Sequence, residues 1–252
     1  MSVRLAAAFA ALAFALPAAA QESGGDPLLE AGRINARLAM EYLKRDQLVV
    51  ARDKVEKALV QNPRDVTVQL AAGLVYERLL DKKRAERHFR QALRADADSP
   101  EAQNALGAFL CRNEEYGRGE DMFLKAARNQ LYRTPEVAYT NAGVCARAAG
   151  KLDRAEQFLR QALAMRSDYA ETHVQLAGVL LERGNHLQAR AFIERYLAVA
   201  RATPDVLLLG WRIETALDDR RAAAAFGERL RKEFPESAQV RALEDLERRN
   251  RG

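Results

Sequence analysis

Histidine is scarce in this sequence, three residues in 252, and the three are too dispersed to build a metal centre. His88, His173 and His186 never fall three or four residues from one another or from a cysteine, the spacing that would put two ligands on one helical face. Phosphate-binding glycine patterns are missing: there is no GxxxxGK[ST], no GxGxxG after a strand and no GxSxG. The two-residue alternation of a half-buried strand is absent as well. Carboxylates are plentiful, yet no pair stands out. No catalytic residue, cofactor or metal is therefore expected, and the protein is not expected to be an enzyme. Beyond residue 20 no stretch approaches 18 uncharged apolar residues, so no direct membrane span is expected.

What the chain has first is a leader. Arg4 gives a short positive start, Leu5 to Leu16 an apolar run, Pro17 a break, and Ala18-Ala19-Ala20 the small residues of a cleavage site. That order is that of a signal peptide over residues 1–20, cut between Ala20 and Gln21, and it predicts export to the periplasm. Residues 21–31, beginning QESGGDP, are expected to be a flexible leader. One of the 40 basic residues lies in the first 20, leaving 39 against 35 acidic ones, a net of +4. Acids and bases alternate as on solvated helix faces, and no nucleic-acid partner is expected.

The second feature is a repeat. Tyr42 and Tyr76, Ala51 and Ala85, Val55 and Phe89, and Ala58 and Ala92 are each 34 residues apart, and Leu110, Gly119, Phe123 and Ala126 continue the register. A 34-residue period is that of the tetratricopeptide repeat, with small residues at positions 8, 20 and 27 and large ones at 11 and 24. Six units follow: 32–65, 66–99, 100–133, 136–169, 170–203 and 204–237, with a two-residue insertion at Thr134-Pro135 and a degenerate sixth unit containing Trp211. Each unit is two antiparallel helices that cannot bury their apolar faces alone. The expected fold is all-α, a superhelical solenoid of six helix-turn-helix units closed by a polar capping helix over 238–252, and a monomer.

In such a solenoid the first helices line a groove. At the groove positions of the first two units stand Met40, Leu43, Leu70 and Leu74, flanked by Arg37, Lys44 and Arg78. That apolar patch suits an amphipathic peptide, or equally the packing of one unit on the next. Asn104 and Arg112 in unit three, and Asn141 and Arg147 in unit four, have the chemistry to hold a peptide backbone or carboxylate, or simply to be solvated. Cys111 and Cys145 lie late in the first helices of adjacent units, at positions 12 and 10. Helix proximity makes a bridge feasible and the offset leaves its geometry open. An exported chain meets an oxidising compartment, which favours the disulfide over two free thiols.

Several segments stand out beyond the general repeat pattern. They are Asn104-Ala105-Leu106-Gly107-Ala108-Phe109-Leu110-Cys111, Leu131-Tyr132 with Pro135, Tyr139-Thr140-Asn141-Ala142-Gly143-Val144-Cys145-Ala146, and Glu194-Arg195-Tyr196-Leu197. The sixth unit is the most specific: Leu207-Leu208-Leu209-Gly210-Trp211-Arg212-Ile213, Asp218-Asp219-Arg220, Ala223-Ala224 and Phe234-Pro235. Together these segments resemble a known family, the type IV pilus biogenesis/stability proteins of the PilW/PilF (pilotin) group, and the resemblance spans residues 32–246. It implies a periplasmic scaffold of Gram-negative bacteria that binds a pilus secretin subunit, or another pilus component, and supports secretin assembly, hence twitching motility. It also implies a cysteine pair in these two repeats, which strengthens the Cys111–Cys145 expectation. Members commonly carry a lipidated cysteine after the leader. Here the leader ends Ala-Ala-Ala-Gln and the first cysteine is Cys111, so no lipid anchor is expected and any outer-membrane association would be peripheral, through the partner. The alternative is a general periplasmic repeat adaptor for another envelope or cell-wall assembly complex.

Overall fold

The computed structural model describes residues 26–251. The expected signal peptide, residues 1–20, lies outside the described residues.

Among the described residues the chain forms thirteen α-helices and no strand. They run as six antiparallel pairs and a single last helix. The pairs are α1 (Pro27–Lys44) with α2 (Leu48–Gln61), α3 (Val66–Arg78) with α4 (Lys82–Ala95), and α5 (Pro100–Arg112) with α6 (Tyr116–Arg128). Then come α7 (Pro135–Ala148) with α8 (Leu152–Met165), α9 (Ala170–Glu182) with α10 (His186–Val199), and α11 (Pro204–Ala216) with α12 (Arg220–Glu233). The last helix is α13 (Ala238–Arg251). The fold is the tetratricopeptide solenoid. Local chemistry sets the helix starts: Pro27, Pro100, Pro135 and Pro204 sit in first turns. The side chains of Asp26, Asp65, Asp81, Ser99, Thr203 and Asp219 accept from the backbone N–H groups they precede.

Each first helix packs on the second helix of its own unit, on the second helix of the preceding unit, and on the first helices beside it. First helices thus form an inner layer and second helices an outer one. Position 8 meets position 24 across the pair. A Cβ on Gly73 would come within 2.6 Å of the Phe89 ring, and one on Gly143 within 2.6 Å of Leu159. With the smaller Val55 and Ile193 at position 24, position 8 is Ala39 and Ala177. The sixth unit reverses the pair: Trp211 stands at position 8 and faces Gly227. The tight glycine–aromatic contact moves one residue earlier, where a Cβ on Gly210 would come within 2.5 Å of the Phe226 ring.

Within each pair the chain reverses through one residue of positive φ: Asp46, Leu80, Glu114, Gly150, Gly184 and Asp218. This left-handed geometry is free for glycine and tolerated by aspartate; for leucine it is strained. The lengthened loop before α7 carries Tyr132, which is buried beside Ala126 and Ala138. The closing helix α13 packs on α11 and α12 as a seventh first helix would, burying Val240 and Leu243 in a cluster with Leu207, Trp211 and Leu230.

One expectation needs correction. Residues 27–31 are not a flexible leader but the opening turns of α1. Asp26 caps the Leu28 N–H, Pro27 presets the first turn and Glu30 favours the positive end of the helix. Asn62 donates to the Leu29 carbonyl at 3.1 Å, tying the extension to the end of α2. The remaining leader residues, 21–25, lie outside the described residues, as does Gly252 at the end of the expected cap.

Candidate partner-binding groove

A hollow of ≈ 480 Å³ opens where the ends of α1, α3 and α5 converge. Leu43, Leu74 and Phe109 make its apolar floor, and Glu77, Arg78, Lys82 and Arg112 stand around it with Leu80 at the rim. The three helices arrive together because adjacent first helices pack side by side, and their last turns meet where the chain reverses.

Of the residues nominated from sequence, Leu43, Leu74, Arg78 and Arg112 reach this hollow. Met40 and Leu70 pack against the N-terminal core instead and do not line it. Arg37 and Lys44 are exposed on α1 and pair with Glu30 and Glu41, at 3.2 and 2.7 Å. Asn141 donates to Asn104 at 3.0 Å, so these two amides join neighbouring units to each other. Arg147 bonds to Glu182 and also reaches Gln175.

A pattern emerges along the inner layer. Arg33 bonds Asp65 at 2.8 Å, Arg78 bonds Asp46 at 2.5 Å, and Arg112 grips Glu77 through two contacts of 2.7 Å. Further on, Thr140 and Thr172 share a buried hydroxyl contact of 2.6 Å, and Arg147 meets Glu182. Arg33 ties α1 to the cap of α3, and each of the other bonds joins one unit to the next. The arginines expected to grip a ligand therefore already hold carboxylates of adjacent units; a partner would meet them as rims of fixed orientation rather than as free cations. The Asp65 carboxyl is pushed up by burial, but its hydrogen bonds from Arg33 and the Val68 N–H outweigh this and hold it below its ordinary range.

Phe109, Glu77, Leu80 and Lys82 were not nominated. Phe109 is buried, with its ring centroid 5.4 Å from that of Phe89, so it reads as core. An apolar residue in a left-handed turn was the available signal for Leu80. Cys111 and Cys145 are joined as a disulfide across α5 and α7, with Cα atoms 5.7 Å apart. The histidines have structural surroundings. His88 stacks on Tyr76 and bonds Gln69, buried His173 bonds the Ser167 carbonyl, and His186 opens α10. Among the described residues no helix is long and apolar enough to cross a membrane.

Comparison with known proteins agrees with this architecture. Residues 146–210 match a tetratricopeptide-repeat family model. The type IV pilus assembly protein PilF of Pseudomonas aeruginosa is 25% identical over 97% of this chain and 99% of its own length. The crystal structure of PilW, described as a widely conserved type IV pilus biogenesis factor, has a TM-score of 0.76 at 30% identity, covering 84% of this chain and 97% of that one. A solved P. aeruginosa PilF structure has a TM-score of 0.71 at 23% identity, covering 87% and 99%.

Proposed function

The chain belongs to the PilF/PilW family of type IV pilus tetratricopeptide-repeat proteins, and on that premise we propose that it is a periplasmic scaffold whose inner groove holds a segment of the pilus secretin and promotes its assembly. The observation that carries this reading is the hollow floored by Leu43, Leu74 and Phe109 and rimmed by Arg78, Arg112 and Glu77. Its floor suits one or two apolar side chains of a peptide. Its rim suits the polar groups beside them. Because the rim arginines are held by Asp46 and Glu77, little side-chain entropy remains to be lost when a peptide docks. The work is binding rather than turnover, since the repeats and the closing helix account for every described element. The Cys111–Cys145 bridge serves as a clamp between the third and fourth units.

The test is a photo-crosslinking residue in place of Leu74, in cells assembling pili. A secretin adduct is expected, together with loss of secretin multimers and of twitching when the gene is deleted. Normal multimers in the deletion strain would overturn the proposal. Adducts with cell-wall enzymes and none with secretin would favour a general envelope scaffold.

A further inference from the structure

The positive charge of this protein is concentrated on one helix of the outer layer. Six basic residues and one acid fall within α4, a net of +5, which equals the formal charge of the entire chain. Four of these cations share a face. Lys83, Arg87, Arg90 and Arg94 follow at intervals of four, three and four residues, all exposed, opposite the buried Ala85, Phe89 and Ala92. The ridge is about 16 Å long, from the rise of an α-helix. Glu86 pairs with Arg90 at 2.6 Å and Asp81 with Arg84 at 2.5 Å. Among the described residues Lys83, Arg87 and Arg94 have no such partner.

At the head of this ridge stands Leu80. Its side chain is 85% exposed and its φ is 61°. Five other units place Asp, Glu or Gly in that turn; here an apolar side chain is both strained and presented to solvent. A residue that breaks a local rule with no gain in packing marks a site under another constraint. Val49, one unit earlier at the position equivalent to Lys83, is 73% exposed. Arg52 of α2 and the Leu80 turn share one shallow depression, lined also by Asp81, Lys82, Lys83 and Arg84. The edge therefore carries projecting apolar tips among cations.

We propose that the α4 ridge and the Leu80 tip form a contact site for an anionic lipid bilayer. Charge complementarity with phosphate headgroups supplies attraction along the ridge, and Leu80 with Val49 enters the interfacial region. A lipid surface is favoured over an acidic protein because the cations lie along one exposed helix face beside an exposed apolar tip, the pairing of charge and apolar insertion that an interfacial contact needs. The four ridge cations lie on the outer layer and line no part of the inner hollow, whose rim the ridge meets only at its head, at Leu80 and Lys82.

The experiment is flotation with vesicles of phosphatidylglycerol and phosphatidylethanolamine, against phosphatidylcholine alone, with every variant carrying the same N-terminus. Binding to the anionic vesicles that weakens with added salt is expected. The triple variant K83E/R87E/R94E should bind roughly 100-fold more weakly, at about a factor of five for each lost cation. A control reversing exposed Arg221 and Arg229 on α12 should bind normally. Leu80→Gly separates a lipid role from a structural one, because the two effects have opposite signs. Relief of the left-handed turn should raise the melting temperature by about 2–4 °C, while vesicle affinity falls roughly tenfold with the apolar tip. Equal binding to both vesicle types, unchanged binding by the folded triple variant, or capture of an acidic protein without vesicle binding would each overturn the proposal.

Discussion

Arg112 of α5 and Glu77 of α3 form a two-pronged ion pair, with Nε and Nη2 each 2.7 Å from a carboxylate oxygen. The pair borders the hollow and fixes the spacing of its wall. The Arg112 side chain is 54% exposed, so the pair contributes no more than about 1 kcal/mol to stability. Its geometric effect is greater. Arg112→Lys keeps the charge and loses the fork. We expect Arg112→Lys to leave the melting temperature within a few degrees while reducing secretin crosslinking from position 74 severalfold. Full crosslinking in this variant would show that the rim has no part in capture.

The position 8 and 24 contact predicts a compensating pair. Gly73→Ala puts a methyl group into the Phe89 ring and should cost about 1–3 kcal/mol. Phe89→Val opens a void beside Phe109 and should cost about 2–4 kcal/mol. The double variant recreates the Ala39–Val55 combination of the first unit. It should be more stable than the sum of the single changes allows, by at least about 1 kcal/mol. Denaturant unfolding of the four proteins measures this coupling, and strict additivity would refute the packing argument.

These contacts also explain what was readable in the sequence. Positions 8, 20 and 24 are constrained inside one unit, so the 34-residue period repeats visibly and yields the solenoid. The sixth unit blurs because its tight small–large contact falls one residue early, at Gly210 and Phe226, which leaves Trp211 at position 8 facing Gly227. The first turns of α1 were hidden by the Gly-Gly and Pro around Asp26, which suggest a linker, although the same Asp-Pro starts a helix. In the groove, Leu43 and Leu74 were legible from their helical positions. The partners of Arg78, Arg112 and Arg147 were not, because each lies 32 to 35 residues away. Opposite charges recur at nearly one repeat length, a signal that inspection within a unit overlooks. The α4 ridge escaped because the mild net charge was treated as spread over the whole chain; summed helix by helix, it stands out.

The disulfide predicts a redox effect. Cys111 and Cys145 are separated by 34 residues, and closing such a span contributes roughly 3–4 kcal/mol in the chain-entropy model. Denatured, unreduced protein should show no thiol that reacts with an alkylating reagent. Replacing both cysteines by serine should lower the denaturant midpoint of the central repeats, and reductant should have no further effect on that variant. Two reactive thiols in protein recovered from the periplasm would mean that the clamp is open in the cell.

Acid should weaken the fold through two histidines. Burial pushes the imidazole of His88 below its ordinary pKa, and the nearby Arg87 and Arg84 add to the shift. Burial does the same to His173, outweighing its bond to the Ser167 carbonyl. In both cases the folded state favours neutral imidazole, while the unfolded chain takes up a proton near the ordinary pKa of about 6.5. The unfolded state therefore binds more protons between the ordinary and the folded pKa values, and stability falls as pH drops through that window. Above it, the histidine contribution is constant. Melting temperature against pH should decline from about 6.5 downward, and His88→Gln together with His173→Gln should flatten that part of the profile. Persistence of the same slope in the double variant would show that these histidines do not set it, and Asp65 and Asp81 could not supply it in that window. Their pKa values are lowered in the fold, so their stabilisation is lost only at more acidic pH.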